Sequence, residues 1–176
     1  MRLFAPFVSR LLHVVTTWPD RGGWLFTVWQ LLWLLPVLVT LGVCGGFLSF
    51  GVTDDLRGLV TIAVIALFVP AIGEELLFRV LPIPLRHENI SAAVSVIASV
   101  TAFVIWHPLQ TLIFGAAAVP LFLDPWFLAA VAVLGIALAR IYRATMSLWP
   151  CVAVHWIVVI GWKAFFGGPP NPFVLA

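Results

Sequence analysis

The chain has 176 residues, which would form one domain in water, but its composition is that of a protein in lipid. Hydrophobic residues make up 63% of it and charged residues only 9%, against about 25% charged residues in soluble domains. This excludes a soluble globular enzyme, and a net charge of +2 is too small for a nucleic-acid-binding surface.

Residues 1–23 are predicted to form an amphipathic segment at the membrane interface. Arg2, Arg10 and His13 stand among apolar residues, and the pattern stops at Pro19. We expect no cleavable signal peptide, since the first strongly apolar stretch begins only at Trp24.

Five apolar stretches approach the length of about 20 residues that a membrane-spanning helix needs. They are residues 24–50, 59–81, 91–107, 126–141 and 147–166. Residues 109–125 are apolar too, but Gly115, Pro120 and Pro125 interrupt them, so they predict either a short sixth span or a re-entrant segment. The predicted membrane core covers residues 24–166, and a short tail follows at 167–176.

The distribution of basic residues favours five spans over six. With five, one side of the membrane carries six basic residues and the other carries two: Arg2, Arg10, Arg21, Arg86, Arg140 and Arg143 against Arg57 and Lys163. A sixth span would make the split even. Because Lys and Arg collect on the cytoplasmic side, we expect a cytoplasmic N-terminus in a multi-pass protein, most simply of a bacterial plasma membrane. The predicted fold class is an all-α polytopic transmembrane helix bundle with an N-terminal interfacial helix.

The second predicted span contains a Glu-Glu-x-x-x-Arg motif formed by Glu74, Glu75 and Arg79. A charge at the membrane centre costs about 2.5–3.5 kcal/mol on insertion scales. Residues four apart share a helix face, so Glu75 and Arg79 can pair. Glu74 points about 100° away, has no obvious partner on its own helix, and is the carboxylate suited to general acid–base catalysis. The alternative is a buried ion-pair cluster that only fixes helix packing.

Two histidines lie in other apolar helices. His107 follows Phe103 by four residues, and His155 lies midway along the last helix. A lone buried histidine usually only packs, but two of them beside an unpaired glutamate indicate a site. Glutamates and histidines are also a possible metal set, although no His-Glu-x-x-His spacing is present. We therefore expect no bound metal or cofactor and keep a metal-dependent membrane hydrolase as an alternative.

The motifs resemble those of the CAAX protease and bacteriocin-processing family, which comprises glutamic intramembrane proteases often labelled Abi. The resemblance rests on the order of Glu74-Glu75-x-x-x-Arg79, Phe103-x-x-x-His107 and His155. The stretch 135–150 is also similar to that family's approach to its last histidine, and the resemblance covers roughly residues 60–165.

The resemblance implies a helical core around a polar intramembrane cavity and assigns roles to single residues. Glu74 and His107 would activate a water molecule, Glu75 and Arg79 would support the site, and His155 would stabilise the oxyanion. The family usually has Asn, sometimes Asp, four residues after that histidine, whereas this chain has Val159. One oxyanion donor is therefore missing, unless an indole N–H of Trp156 or Trp162 replaces it.

The leading hypothesis is therefore an intramembrane endopeptidase that cleaves a membrane-associated peptide or protein near its terminus. Its partners would be the lipid bilayer and a substrate delivered through or at the membrane, with no nucleic acid involved. The alternative, favoured by Val159, is a weak or inactive relative that acts as a membrane scaffold, immunity or assembly factor.

Overall fold

The computed structural model describes residues 5–88 and 91–167, and this part of the chain is helical. The helices are α1 (Ala5–Thr16), α2 (Arg21–Cys44), α3 (Leu56–Val80), α4 (Ala92–Leu109), α5 (Thr111–Phe114), α6 (Val119–Phe122), α7 (Pro125–Thr145) and α8 (Trp149–Phe165). One isolated parallel bridge joins Gly51 to Phe166. Nearly all of the predicted tail at 167–176 lies outside the described residues, as do residues 1–4.

Four of these helices are long and apolar enough to cross a membrane. They are α2, α3, α7 and the stretch Ala92–Phe114, which joins α4 to α5. Helix α8 is a shorter apolar helix of 17 residues, which is about the lower limit for a span. The prediction of an all-α, multi-pass membrane bundle is confirmed.

Aspartates begin three of the long helices. Asp20 accepts a hydrogen bond from the backbone N–H of Gly23, Asp55 from Gly58 and Asp124 from Phe127, at 2.7–2.8 Å. The first N–H groups of a helix lack internal partners, and an aspartate at the N-cap satisfies one of them. These carboxylates therefore serve helix ends.

Helix α2 ends at Cys44 rather than at residue 50 as predicted. Gly46 has a φ of 74°, a conformation that glycine adopts without steric cost and that ends a right-handed helix. The chain then turns back, and the N–H of Leu48 donates to the carbonyl of Gly42 at 3.0 Å.

Residues 109–125, which the sequence left open, do not form a sixth span. They contain α5, a 3₁₀ turn at Ala116–Ala118 and α6, none longer than four residues. Arg86, which precedes α4, donates to the carbonyl of Ala144 at the end of α7. The start of α4 therefore lies at the same end of the bundle as the end of α7. Residues 110–124, which join the end of α4 to the start of α7, lie at the opposite end and do not cross the bundle.

Helix α3 changes its winding halfway along. From Leu56 to Ala66 it is an ordinary α-helix, and through Leu67–Glu74 and Leu76–Val80 it is π-helical. Pro70 lies in this segment and lacks the N–H that an α-helix would use there. Local π winding is frequent at functional sites, and here it includes Glu74 and Arg79, with Glu75 at the junction of the two π-helical segments.

Arg10 of α1 holds the end of α3. Its guanidinium donates to the carbonyl oxygens of Val80 at 3.0 Å and Leu81 at 2.6 Å, and to Glu88 at 2.8 Å. Glu88 also accepts from the N–H of Leu85. Partial burial raises the pKa of Glu88, but the bonds from Arg10 and Leu85 outweigh it and hold that pKa below its usual range. We refer to Arg10, Val80, Leu81 and Glu88 as the Arg10 clamp.

Candidate active site

Glu75 lies at the centre of a buried network between α3 and α8. One carboxylate oxygen accepts from Nε of Arg79 at 3.0 Å, and the other lies 2.9 Å from Nδ1 of His155. Glu75 and Arg79 are completely buried, and His155 is 3% exposed. The predicted Glu75–Arg79 pair is therefore present, and it connects two predicted site elements that are 80 positions apart.

Glu74 faces the same network from one side. Its Oε1 accepts from the indole Nε1 of Trp106 at 2.9 Å. Its Oε2 is buried, has no hydrogen-bond partner in the described part of the chain, and lies 3.9 Å from Nε2 of His155. Because each π turn holds more residues than an α turn, neighbouring side chains diverge less than in an α-helix. Both glutamates can therefore approach one imidazole.

The contacts of His155 fix which of its nitrogens can act. Glu75 also accepts from Arg79, so it is an ionised acceptor, and Nδ1 of His155 must carry the shared hydrogen. The neutral ring then has a bare Nε2 that faces Glu74. Only the doubly protonated ring can donate from Nε2.

Arg79 is held from a third helix. Its Nη1 donates to Oγ of Ser99 at 2.9 Å, and that hydroxyl bonds in turn to the carbonyl of Phe78. Its guanidinium carbon lies 4.7 Å from the centre of the Phe103 ring, within the range of a cation–π contact. Sequence reasoning did not select Ser99 as a site residue. Its spacing could have indicated it, since Ser99, Phe103 and His107 recur every four residues and share one face of α4.

His107 lies beside this network but not in direct contact with the carboxylates. Neither of its nitrogens lies within 4.0 Å of a carboxylate oxygen of the described residues. Its Nδ1 lies 2.8 Å from the carbonyl of Phe103 and must donate to it, which leaves Nε2 as an acceptor. The Phe103 ring packs on His107 at 4.9 Å and on His155 at 5.9 Å. The Phe103 ring therefore contacts both histidines.

The residues near Val159 show which indole is available. Trp156 donates its Nε1–H to the carbonyl of Ala63 at 2.7 Å. The Nε1 of Trp162 is buried and has no hydrogen-bond partner among the described residues. Trp156 is thus committed to helix packing, whereas the N–H of Trp162 is free.

Other groups do not add to the site. Cys151 is buried, and its Sγ lies 3.4 Å from the carbonyl of Leu138, while Cys44 is exposed. Within residues 5–88 and 91–167, no group of three or more His, Cys, Asp or Glu side chains is arranged to hold a metal ion.

Comparison with known proteins gives one match. Residues 56–161 match the model of a protein family described as type II CAAX prenyl endopeptidase Rce1-like. The match begins at the start of α3 and ends in α8, so it contains every predicted site residue. No curated protein and no solved structure matched the chain.

Proposed function

Because this chain belongs to the Rce1-like family of type II CAAX prenyl endopeptidases, a family of membrane proteases, we propose that it is an intramembrane endopeptidase of glutamic type. Glu74 would be its general base. The observation that carries the proposal is the state of Glu74: one oxygen is fixed by Trp106, and the other is buried, unpartnered and 3.9 Å from His155.

The proposed reaction begins with a water molecule at Oε2 of Glu74. Glu74 takes a proton from the water as its oxygen attacks the carbonyl carbon of the scissile peptide bond. The carbonyl electron pair moves to oxygen and gives a tetrahedral oxyanion. When this collapses, the C–N bond breaks and the leaving nitrogen takes the proton from Glu74, so the products are an amine and a carboxylic acid that keeps the second proton of the water until it ionises.

The two histidines have separate roles in this scheme. The bare Nε2 of His107 accepts a hydrogen bond from the water and aims it. His155, oriented through Nδ1 by Glu75, presents a protonated Nε2 to the oxyanion. Arg79 supports both by holding Glu75 in place.

The proposed substrate is a membrane-associated peptide or protein whose scissile bond lies near a terminus. The residues of the candidate site lie on apolar helices long enough, or nearly long enough, to span a membrane, so the substrate is proposed to enter along the membrane. The family's description reads CAAX prenyl endopeptidase, and we propose a prenylated CAAX tail, or an unprenylated membrane-anchored counterpart, as the substrate class.

The N-terminus is proposed to be cytoplasmic. Arg10 and Arg86 make contacts at the end of the bundle where α3 and α7 finish, and Arg21 begins α2. This gathers basic residues on the side predicted to face the cytoplasm.

The test uses purified protein in proteoliposomes and an internally quenched peptide that ends in a farnesylated cysteine and three further residues. The same peptide anchored by an apolar helix instead of farnesyl is assayed in parallel. We expect the wild-type protein to release the tail and Glu74→Gln to lower the rate by about 10²–10⁴-fold. Asp54→Asn, in an exposed loop, is the matched control. Equal cleavage by wild type and Glu74→Gln would refute the proposal.

One observation favours a second function. Val159 replaces a donor that the family's chemistry uses, which suits a scaffold or assembly factor that kept the fold and lost the activity. Failure of the wild-type protein to cleave either peptide would support this alternative.

A further inference from the structure

Trp162 carries a polar group that helix packing does not explain. Its indole N–H is buried and unpartnered in the described part of the chain. Buried donors in native proteins are almost always paired, and an exception calls for a specific reason such as a catalytic role or an absent ligand.

Trp162 lies on the same side of the bundle as the two histidines of the candidate site. It follows His155 by seven residues, two helical turns, so both side chains lie on one face of α8. Side chains on a helix lean towards its N-terminus, which directs Trp162 back towards His155. Its ring packs on Phe127 at 5.8 Å, and Phe127 packs on His107 at 5.6 Å. The indole therefore belongs to the aromatic wall beside the two histidines.

Two other donors, Arg79 and Trp156, suit this role less well. Arg79 has a free Nη2, but the whole side chain is buried and lies against the Phe103 ring, so a substrate does not reach it. Trp156 has already given its N–H to Ala63. Trp162 differs from Arg79 in being only half-buried as a whole side chain, and it differs from Trp156 in having an unpartnered N–H among the described residues.

We propose that Trp162 is a catalytic residue that donates its indole N–H to the carbonyl oxygen of the scissile peptide bond as it becomes an oxyanion. It takes the place of the side-chain donor that Val159 does not provide and acts together with Nε2 of His155. This inference rests on the proposed protease function.

The test is Trp162→Phe in the peptide assay in proteoliposomes. Losing one oxyanion donor lowers kcat by about 10²-fold, and KM should stay unchanged because the donor acts on the transition state. Trp29→Phe, on the exposed face of α2, is the matched control and should keep full activity. Benzothienylalanine at position 162, which keeps the ring shape and lacks the N–H, should reproduce the loss even if Phe packs badly.

A rescue experiment separates catalysis from packing. Val159→Asn added to Trp162→Phe puts an amide donor one turn after His155 and should recover at least tenfold of the lost kcat. A wild-type kcat for Trp162→Phe or for the benzothienylalanine variant would overturn the assignment. So would a loss without any recovery by Val159→Asn and with a lowered unfolding temperature. Glu74→Gln, run in parallel, tells the two proposals apart: its inactivity beside an active Trp162→Phe removes only the role of Trp162.

Discussion

Glu75 of α3 and His155 of α8 are joined by a hydrogen bond of 2.9 Å in a place almost without solvent. The same carboxylate binds Arg79 through its other oxygen. Glu75 therefore orients the imidazole, neutralises the guanidinium and ties two helices together. Its removal should affect stability and catalysis separately.

The first prediction concerns the separate effects of Glu75 on stability and on catalysis. Glu75→Gln leaves Arg79 as an uncompensated buried charge, and breaking a buried pair in this way costs about 3–5 kcal/mol. We expect a lower unfolding temperature in detergent and a loss of peptide cleavage, measured by thermal unfolding and by the quenched-peptide assay.

The double variant Glu75→Gln/Arg79→Met is the control for this prediction. It removes both charges, so much of the lost stability should return. Cleavage should stay low, because His155 still lacks its carboxylate. If activity returned with stability, Glu75 would have only a structural role.

The second prediction concerns the orientation of Glu74. Trp106→Phe removes the indole N–H that holds Oε1 of Glu74 and keeps an aromatic ring in place. A hydrogen bond to a charged group contributes about 1.5–3 kcal/mol, which corresponds to about a tenfold to hundredfold lower kcat. Trp126→Phe, at a partly exposed position, should have normal kinetics. Unaltered kcat in Trp106→Phe would mean that Glu74 needs no such support.

The third prediction concerns His107. His107→Phe keeps the aromatic packing around Phe122 and Phe127 but removes the acceptor Nε2. We expect a folded protein whose kcat falls by about 10²-fold or more, the contribution of a positioned acid–base group. Circular dichroism and the peptide assay check the two parts. A variant with normal kcat would leave water activation to Glu74 alone.

The fourth prediction is a pH dependence of the Arg10 clamp. The folded-state pKa of Glu88 lies below its usual value of 4.5, so its ionised form stabilises the fold. That stabilisation, about 1 kcal/mol, is complete at neutral pH and disappears as the pH falls from about 4.5 through the folded-state pKa. The difference in unfolding free energy between wild type and Glu88→Gln should shrink accordingly.

A double-mutant cycle isolates the clamp. Arg10→Gln, Glu88→Gln and the double variant give a coupling energy at each pH. We expect this coupling at pH 7 and a progressively smaller one as the pH falls below about 4.5, measured by chemical unfolding in mixed micelles. A coupling that did not change with pH would contradict this prediction, and an absence of coupling at either pH would assign the contribution of Arg10 to its bonds with Val80 and Leu81.

Much of the fold was predictable because lipid imposes simple rules. Spans follow from apolar length, and the pairing of Glu75 with Arg79 followed from their spacing. The boundaries of α2 were less accurate, since the apolar run continues past Gly46 while the backbone turns there.

The sequence did not predict how the site elements meet. Helical periodicity assumed α winding and placed Glu74 and Glu75 on different faces, so the sequence predicted that Glu74 would approach His155 but missed the contact of Glu75 with the same ring. The bond between Glu74 and Trp106 joins two helices whose relative depth no local pattern encodes. The Arg10 clamp was also missed, because the sequence pattern around Arg10 predicts an amphipathic segment whose arginine faces the membrane interface.

The Arg10 clamp also sets an order of assembly. Arg10 precedes Val80, whose carbonyl it binds, by 70 residues, so the ribosome makes the guanidinium long before its acceptors. Until α3 has been inserted and the loop to Glu88 has turned back, the guanidinium of Arg10 lacks these acceptors. Helix α1 therefore reaches this contact later than residues made well after it, and the end of α3 is held by Arg10 only when the following loop is complete.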